Sequence, residues 1–422
     1  MKFKNLKITI PKDIILEVAV LYLVICEFLP IINLIPQIIL SFGKLIAFTL
    51  FFLSVYLKDK HLFVKFVLII GAVVVVHLLA FYNCWCNYTT IGSFLMRNVI
   101  CWLYMEIGIF IICYASKTTK LAVRNTILLL TFITAITSII SVQSVPTAVR
   151  ELNNGSKYIK GMEALLYLRN TSTWGGLYAM TFLLPYLILW LKRTQKFVLL
   201  FFIIVLEVCI LSSQVTAAII ISFFFLFFLF IKPFSIKKSL AIGLLLIVCF
   251  LSFITYAADF VSLLHEVAIA TGNEVLALRT RQVHSLLSTG IATGTISGRL
   301  DLYLCSIETF FANPIIGLKL ENADEFSFIG LHSQIFDLMA ATGIIGFIPL
   351  MVSFIILIKK TLKFIYLREM RQFFLMAITM LVLLMVINPT YYASGVYMSV
   401  FFGPGVMCAR KEINNLNSHI SR

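Results

Sequence analysis

The residues best suited to chemistry in this chain gather between Ser297 and Gly346. The stretch opens with Ser297-Gly298-Arg299-Leu300-Asp301-Leu302-Tyr303, continues with Asn313-Pro314-Ile315-Ile316-Gly317, and then reaches His332, Gly343 and Gly346. A guanidinium presents a planar fork of N–H donors that can hold an oxyanion through two parallel hydrogen bonds. An imidazole, with an unperturbed pKa of about 6.5, can accept a proton near neutral pH. Arg299 is the first candidate for holding developing negative charge, with Arg279, Arg281 and Arg150 behind it, and His332 is the candidate base. Asp301 and Glu325 are carboxylates that could act in its place, and Asp337, five residues after His332, is expected to line the same cavity.

These side chains need a scaffold, and the local pattern supplies one. Ser297 fits a helix N-cap and Pro314 a stop, while Leu300, Leu304, Ile307 and Phe311 recur at helical spacing, which predicts a short amphipathic helix lying near a membrane surface. Arg299 opens that helix, with Tyr303 and Ser306 further along the same side. His332 then stands at the lip of the next long apolar run, where Gly343 and Gly346 permit close helix packing.

What surrounds them is lipid. Hydrophobic residues make up 61% of the 422 and charged residues 13%, against roughly 45–50% and about 25% in an average soluble domain. No soluble core could hide that much apolar surface. Apolar runs of roughly 18 residues or more recur along nearly the whole length, each long enough to cross a hydrocarbon layer of about 30 Å. In lipid the backbone must satisfy its own hydrogen bonds, so these runs are helices. The fold class is therefore an all-α polytopic membrane protein with about 12 transmembrane helices. They are expected near 14–30, 38–57, 62–81, 94–115, 123–143, 174–191, 197–212, 214–231, 239–256, 332–358, 372–389 and 391–409. The first run follows four lysines but contains Glu17 and Glu27 and lacks a small-residue cleavage site, so it reads as a retained first helix.

With the N-terminus inside, 24 of the 34 basic residues fall on one side of the membrane, which places both termini in the cytoplasm. The formal charge of +15 is thus orientation signal, scattered in short clusters, and implies no nucleic-acid partner. Two outward segments, 143–173 and 257–331, are longer than a connection requires. The second is the largest and separates the ninth and tenth helices. Their mixed charge and helix-like stretches predict a partly helical cap over the outer mouth, and the absence of internal repeats makes 1–422 a single transmembrane domain.

Ionisable residues inside apolar runs are costly and are functional candidates by default. Glu17, Glu27, Lys44, His77, Glu106 and Glu207 qualify, but they lie far apart in sequence and show no relay. The nine cysteines follow no metal-ligand spacing; Cys84 and Cys86 alone pair closely, in an outer loop. Asn170-Thr171-Ser172 matches a glycosylation acceptor and reads as chance.

The run from Ser297 to Gly346 resembles the signature region of the bacterial O-antigen polymerase and ligase superfamily: a Gly-Arg helix, an Asn-Pro/Gly turn and a His-x(10)-Gly-x(2)-Gly pattern. The layout is similar too, with a large outer loop before the last few spans. Family members move a polysaccharide from an undecaprenyl-pyrophosphate carrier onto an acceptor sugar hydroxyl at the outer face, without a metal or other cofactor. The resemblance implies that Arg299 is the family's loop arginine and His332 its essential histidine. It implies that fixed guanidiniums stabilise the pyrophosphate leaving group, that His332 takes the proton of the attacking hydroxyl, and that the anomeric centre inverts. Arg279, Arg281, Arg150, Asp301, Tyr303 and Asp337 would complete the substrate-binding surface. The implied partners are the undecaprenyl-pyrophosphate-linked oligosaccharide, and a flippase and a chain-length regulator in the same bacterial plasma membrane.

The sequence departs from the family at one point. Many relatives carry an arginine where two spans meet, and here Leu211-Ser212-Ser213-Gln214-Val215-Thr216 has Gln214 or Val215 instead, so another basic residue must serve. Polymerases of this group also show Arg-x(10)-Gly in each of two outer loops; Arg150 to Gly161 and Arg279 to Gly290 fit, as does Arg97 to Gly108, which runs into a span.

The expected activity is that of a polymerase extending lipid-linked O-antigen or capsule chains. A ligase would use the same donor with lipid A-core or another surface acceptor. A secondary transporter or flippase could also carry twelve spans, yet the halves show no symmetry and the notable polar residues gather at one face, which favours an enzyme.

Overall fold

Every element of the described chain is helical, as internal backbone hydrogen bonding in lipid requires. A computed structural model describes residues 12–83, 88–145, 147–149, 152, 162–230, 261–263, 265–270, 274–289, 294–318, 329, 330 and 332–407. The helices are α1 (Lys12–Phe28), α2 (Gln37–Lys58), α3 (Lys60–Asn83), α4 (Tyr88–Tyr114), α5 (Lys117–Ser144), α6 (Met162–Leu168) and α7 (Trp174–Thr194). They continue with α8 (Phe197–Ser212), α9 (Thr216–Phe230), α10 (Glu274–Thr289), α11 (Gly294–Ala312), α12 (Gln334–Phe364), α13 (Arg368–Ile387) and α14 (Ser394–Val406), with short 3-10 turns at Pro30–Leu34 and Thr390–Tyr392.

Seven of these helices, α2, α3, α4, α5, α7, α12 and α13, are long and apolar enough to cross a membrane. Ile38, Phe42, Leu68, Phe197 and Val198 point their side chains outward from the bundle, an arrangement that only a hydrocarbon solvent makes favourable. The chain is an all-α membrane protein. Helices α1, α8, α9 and α14 coincide with four more expected spans but have 17, 16, 15 and 13 residues, short of the roughly 20 that a full crossing uses. The expected span 239–256 lies outside the described residues.

The centre of the bundle is α14, buried from Gly395 to Val406 and packed against α4 and α7. Small residues make the approach possible: a Cβ on Gly108 would stand 2.7 Å from the Phe401 backbone carbon, and one on Gly403 would stand 2.2 Å from the Tyr186 ring. Tyr186 in turn donates its hydroxyl to the Val400 carbonyl at 2.7 Å, which satisfies a phenol that would otherwise be orphaned.

The basic clusters cap helix ends, as the orphan carbonyls there demand. Lys58 donates to the Tyr114 carbonyl at 3.0 Å and pairs with Asp13, and Arg371 donates to the Ile365 carbonyl at 2.6 Å. Tyr114 also donates to Asp59, which holds that carboxyl below its usual range. At the opposite end, Asn170-Thr171-Ser172 docks on α5. The Asn170 amide donates to Thr134 at 3.0 Å, Thr171 donates to Ser141 at 2.8 Å, and the Ser172 N–H donates to Ser138 at 2.8 Å. All three residues are buried, so the sequon is a helix anchor.

Two of the scattered intramembrane charges meet. Glu27 of α1 accepts from Lys44 of α2 at 2.8 Å, from Tyr104 of α4 at 2.7 Å and from Ser394 at the start of α14 at 2.6 Å. Sequence distance concealed this cluster. Glu17 accepts from Thr119 at 3.1 Å, whereas His77, Glu106 and Glu207 are buried and form no ion pair among the described residues.

Helix α12 is interrupted. Its backbone leaves helical geometry at Gly343 (φ 58°, ψ −170°), which frees N–H and C=O groups that lipid cannot satisfy. The turn after α11 supplies them: Ile344 N–H donates to the Pro314 carbonyl at 2.8 Å, Ile345 N–H donates to Ile315 at 3.1 Å, and Leu318 N–H returns to the Ala340 carbonyl at 2.9 Å. Gly317 (φ 79°) and Gly343 both need left-handed backbone and face each other without side chains. A Cβ on Gly343 would stand 2.4 Å from the Ile315 carbonyl oxygen. Gly343→Ala is therefore expected to destabilise the folded protein by about 2 kcal/mol or more, seen as a lower thermal unfolding midpoint in detergent, whereas Gly71→Ala, with nothing within 4 Å, should leave it unchanged.

Candidate functional site

The pattern of α11 sorts its side chains into three faces. Ser306 and Thr309 are buried and Tyr303 half-buried against the bundle; Leu300, Leu304 and Phe311 are exposed; Asp301 and Glu308 form an exposed acidic edge. The helix begins at Gly294, so Ser297 lies inside its first turns rather than at the N-cap, and it ends at Ala312, before Pro314 as expected. Ser306 meets Asp337 and, nine residues on, Ile315 meets Ile345, so α11 and its turn run alongside α12 in the same direction.

The Ser306–Asp337 contact fixes the segment that carries His332. Ser306 donates to Asp337 Oδ1 at 2.7 Å and accepts from the Gly330 N–H at 2.9 Å. The other carboxylate oxygen accepts from the Ser333 N–H at 3.1 Å, while the Ser333 hydroxyl accepts from Phe336 N–H at 3.2 Å and caps α12. Gly330 must be glycine, because a Cβ would stand 2.0 Å from the Leu302 carbonyl oxygen. Asp337, expected to line a cavity, is instead buried and serves as the anchor of this corner.

His332 is half-buried just before that cap, with Nδ1 3.0 Å from the Gly330 carbonyl. A carbonyl can only accept, so in the neutral ring Nδ1 carries the proton and Nε2 keeps the lone pair that a base needs. Arg299 is half-buried on the bundle side of α11 and lies within electrostatic reach of the Tyr178 and Tyr303 hydroxyls. Tyr303 donates to the Ile387 carbonyl at 2.7 Å and sets its ring edge-on to Phe336. Burial raises its hydroxyl pKa and Arg299 opposes that rise. Tyr178 accepts from the buried Asn388 amide at 3.4 Å.

The remaining expected residues separate. Asp301 stands about 200° around α11 from Arg299 at 100° per residue and is exposed. Arg281 is exposed on α10, with no hydrogen bond or ion pair to Arg299 or His332 among the described residues. Arg279 belongs to α10, with its side chain outside the described residues; Arg150 and Glu325 lie outside them altogether.

One cation at this corner escaped the sequence reading. Arg97, exposed on α4, places its guanidinium 4.4 Å from the centre of the Tyr392 ring, and Tyr392 packs on Tyr391 at 4.3 Å. The frame is a buried network centred on Gln334, the first residue of α12. Its amide donates to Asn98 at 3.2 Å, and its carbonyl oxygen accepts from Tyr397 at 3.0 Å and from Thr390. One glutamine thus ties the neighbours of Arg97, His332 and Tyr392 together. A guanidinium stacked on an aromatic face keeps its N–H edge available for an oxyanion. The only hint in the sequence was the Arg97 to Gly108 spacing; the pairing with Tyr392 spans 295 positions, beyond the reach of any local pattern.

No family model matches the chain, and no curated protein or solved structure matches it either. The Asp337 anchor gives a direct check on the geometry. Asp337→Ala leaves the Ser306 hydroxyl and the Ser333 N–H without their acceptor and is expected to cost about 2–4 kcal/mol of stability. Asp337→Asn, which can still accept one bond and donate another, should lose about half as much in the same thermal unfolding assay.

Proposed function

We propose that this chain is a polysaccharide polymerase similar to members of the O-antigen polymerase and ligase superfamily. In this reading it transfers undecaprenyl-pyrophosphate-linked glycan onto a lipid-linked acceptor repeat unit at the outer face of a bacterial plasma membrane. Twelve spans, the twelfth supplied by 239–256, leave both termini in the cytoplasm, and segments 143–173 and 257–331 form the outer cap. A flippase would deliver the repeat units and a chain-length regulator would set how many are joined.

The observation that carries the reading is the corner itself: the His332 imidazole, Nδ1 against the Gly330 carbonyl, stands two residues before the Gln334 network that also holds the neighbours of Arg97 and Tyr392, and Arg299 is half-buried on the bundle side of α11. The acceptor hydroxyl oxygen would attack the anomeric carbon while its proton passes to His332 Nε2. The bond from that carbon to the pyrophosphate oxygen breaks, and the configuration inverts. Arg299 and Arg97 would hold the charge that develops on the departing undecaprenyl pyrophosphate. Arg97 is the substitute for the arginine that relatives carry near Gln214. Gln214 itself has left-handed backbone and a buried side-chain oxygen with no hydrogen-bond partner among the described residues.

The interrupted helix α12 is the feature a transporter reading would use, since broken helices often line a transported substrate. Here the Ile344 and Ile345 N–H groups and the Ala340 carbonyl are taken by the 314–318 turn, so protein rather than substrate occupies those positions of the break. A ligase keeps the same donor chemistry and differs in its acceptor.

Complementation of a polymerase-null strain tests the reading through the surface-polysaccharide ladder. Wild type should restore the ladder. His332→Ala and Arg299→Ala should leave single-unit chains, as should Arg97→Ala, with transfer slowed by about 100-fold or more in each. Normal chain length from the His332 and Arg299 variants would overturn the site, and polymer that remains on its carrier for want of transfer to core would identify a ligase.

A further inference from the structure

The far end of α11 is too apolar for an aqueous cap. Phe311 is 73% exposed and Ile315 62%, with Leu304 and Ile316 beside them. These residues continue a surface that belongs to a span: Ile315 bonds to Ile345, and Ile344, Ile345 and Ile348 are exposed along α12.

Depth follows from chain length. Lys359 and Lys360 mark the basic end of α12, and about 20 residues of helix cross the hydrocarbon layer, so the other boundary falls near Met339. Gly343 and the turn docked on it therefore lie inside that layer. Ser306 and Asp337, about 1.7 turns above Gly343, stand at the boundary, and Glu308 on the acidic edge is exposed there.

We propose that the end of α11 and the 313–318 turn form a re-entrant insertion in the membrane, with Phe311, Ile315 and Ile316 in contact with phospholipid acyl chains. The corner holding Arg299 and His332 thereby has a lipid-facing flank, through which a substrate anchored by a hydrocarbon tail reaches it without leaving the bilayer. The insertion rests on the packing of α11 against α12 and holds whatever reaction the corner performs.

The test uses full-length protein in phospholipid vesicles with the photoreactive residue benzoylphenylalanine placed at Phe311, Ile315, Glu308 or Ile348, one position at a time. After irradiation, mass spectrometry should find phospholipid adducts at 311 and 315 comparable to those at 348, and at least 10-fold fewer at 308. Adducts at 348 alone would overturn the insertion. So would cross-links from 311 or 315 to this chain or a second copy of it, and so would equal adducts at 308. The polysaccharide ladder does not enter this readout, so failure here is separable from failure of the glycosyl-transfer reading.

Discussion

A broken helix in a membrane must have its loose backbone groups satisfied by protein, because lipid offers no hydrogen bonds. Helix α12 breaks at Gly343, and most of what is distinctive about this chain follows from how the break is closed. The groups come from the 313–318 turn, which forces α11 to run beside the first turns of α12. That direction brings Ser306 to Asp337 and the Leu302 backbone against Gly330, and so fixes the position of His332. The glycines at 317, 330 and 343 are thus one requirement expressed three times: places where two backbones approach too closely for a Cβ.

The second organising element is the Gln334 side chain. It stands where α4, α12 and the Thr390–Tyr392 turn converge, and its amide fixes the register of all three. Buried polar networks of this kind have a defined geometry because every unsatisfied member is costly. The result is a fixed platform beside the half-buried His332 imidazole and the Arg97 guanidinium. Donors held in place in this way need no reorganisation when negative charge develops beside them, which is what the proposed transfer would require.

Local periodicity made much of this legible. Apolar run length located the helices, Pro314 marked the end of α11, and the spacing of Arg299, Tyr303 and Ser306 put them on one face, which the structure buries against the bundle. The pattern could not reveal what depends on tertiary approach. Ser297 looked like a cap because its residue type suits one, yet the helix had already begun at Gly294. Asp337 looked like a cavity residue because it follows His332 closely, but helical geometry turns it inward to Ser306. The apolar stripe of α11 is exposed as its spacing indicated, though alternation alone cannot distinguish a helix lying on a membrane from one dipping into it. Arg97 and Tyr392 belong to separate helices, and their stacking was invisible until the chain was folded.

The Glu27–Lys44 pair bears on how the protein is made. Each charge alone is expensive inside an apolar membrane helix. Glu27 near the end of α1 and Lys44 in the first half of α2, of opposite sign, stand on either side of the short Pro30–Leu34 connection. Entering the bilayer together as a hairpin, α1 and α2 bring Glu27 and Lys44 in as a neutral pair; entering singly, each brings that charge uncompensated. Tyr104 and Ser394, the remaining donors to Glu27, are synthesised later and complete the cluster only when α4 and α14 arrive. The ion pair therefore favours entry of α1 and α2 as a unit, and α4 and α14 later supply the donors that complete it.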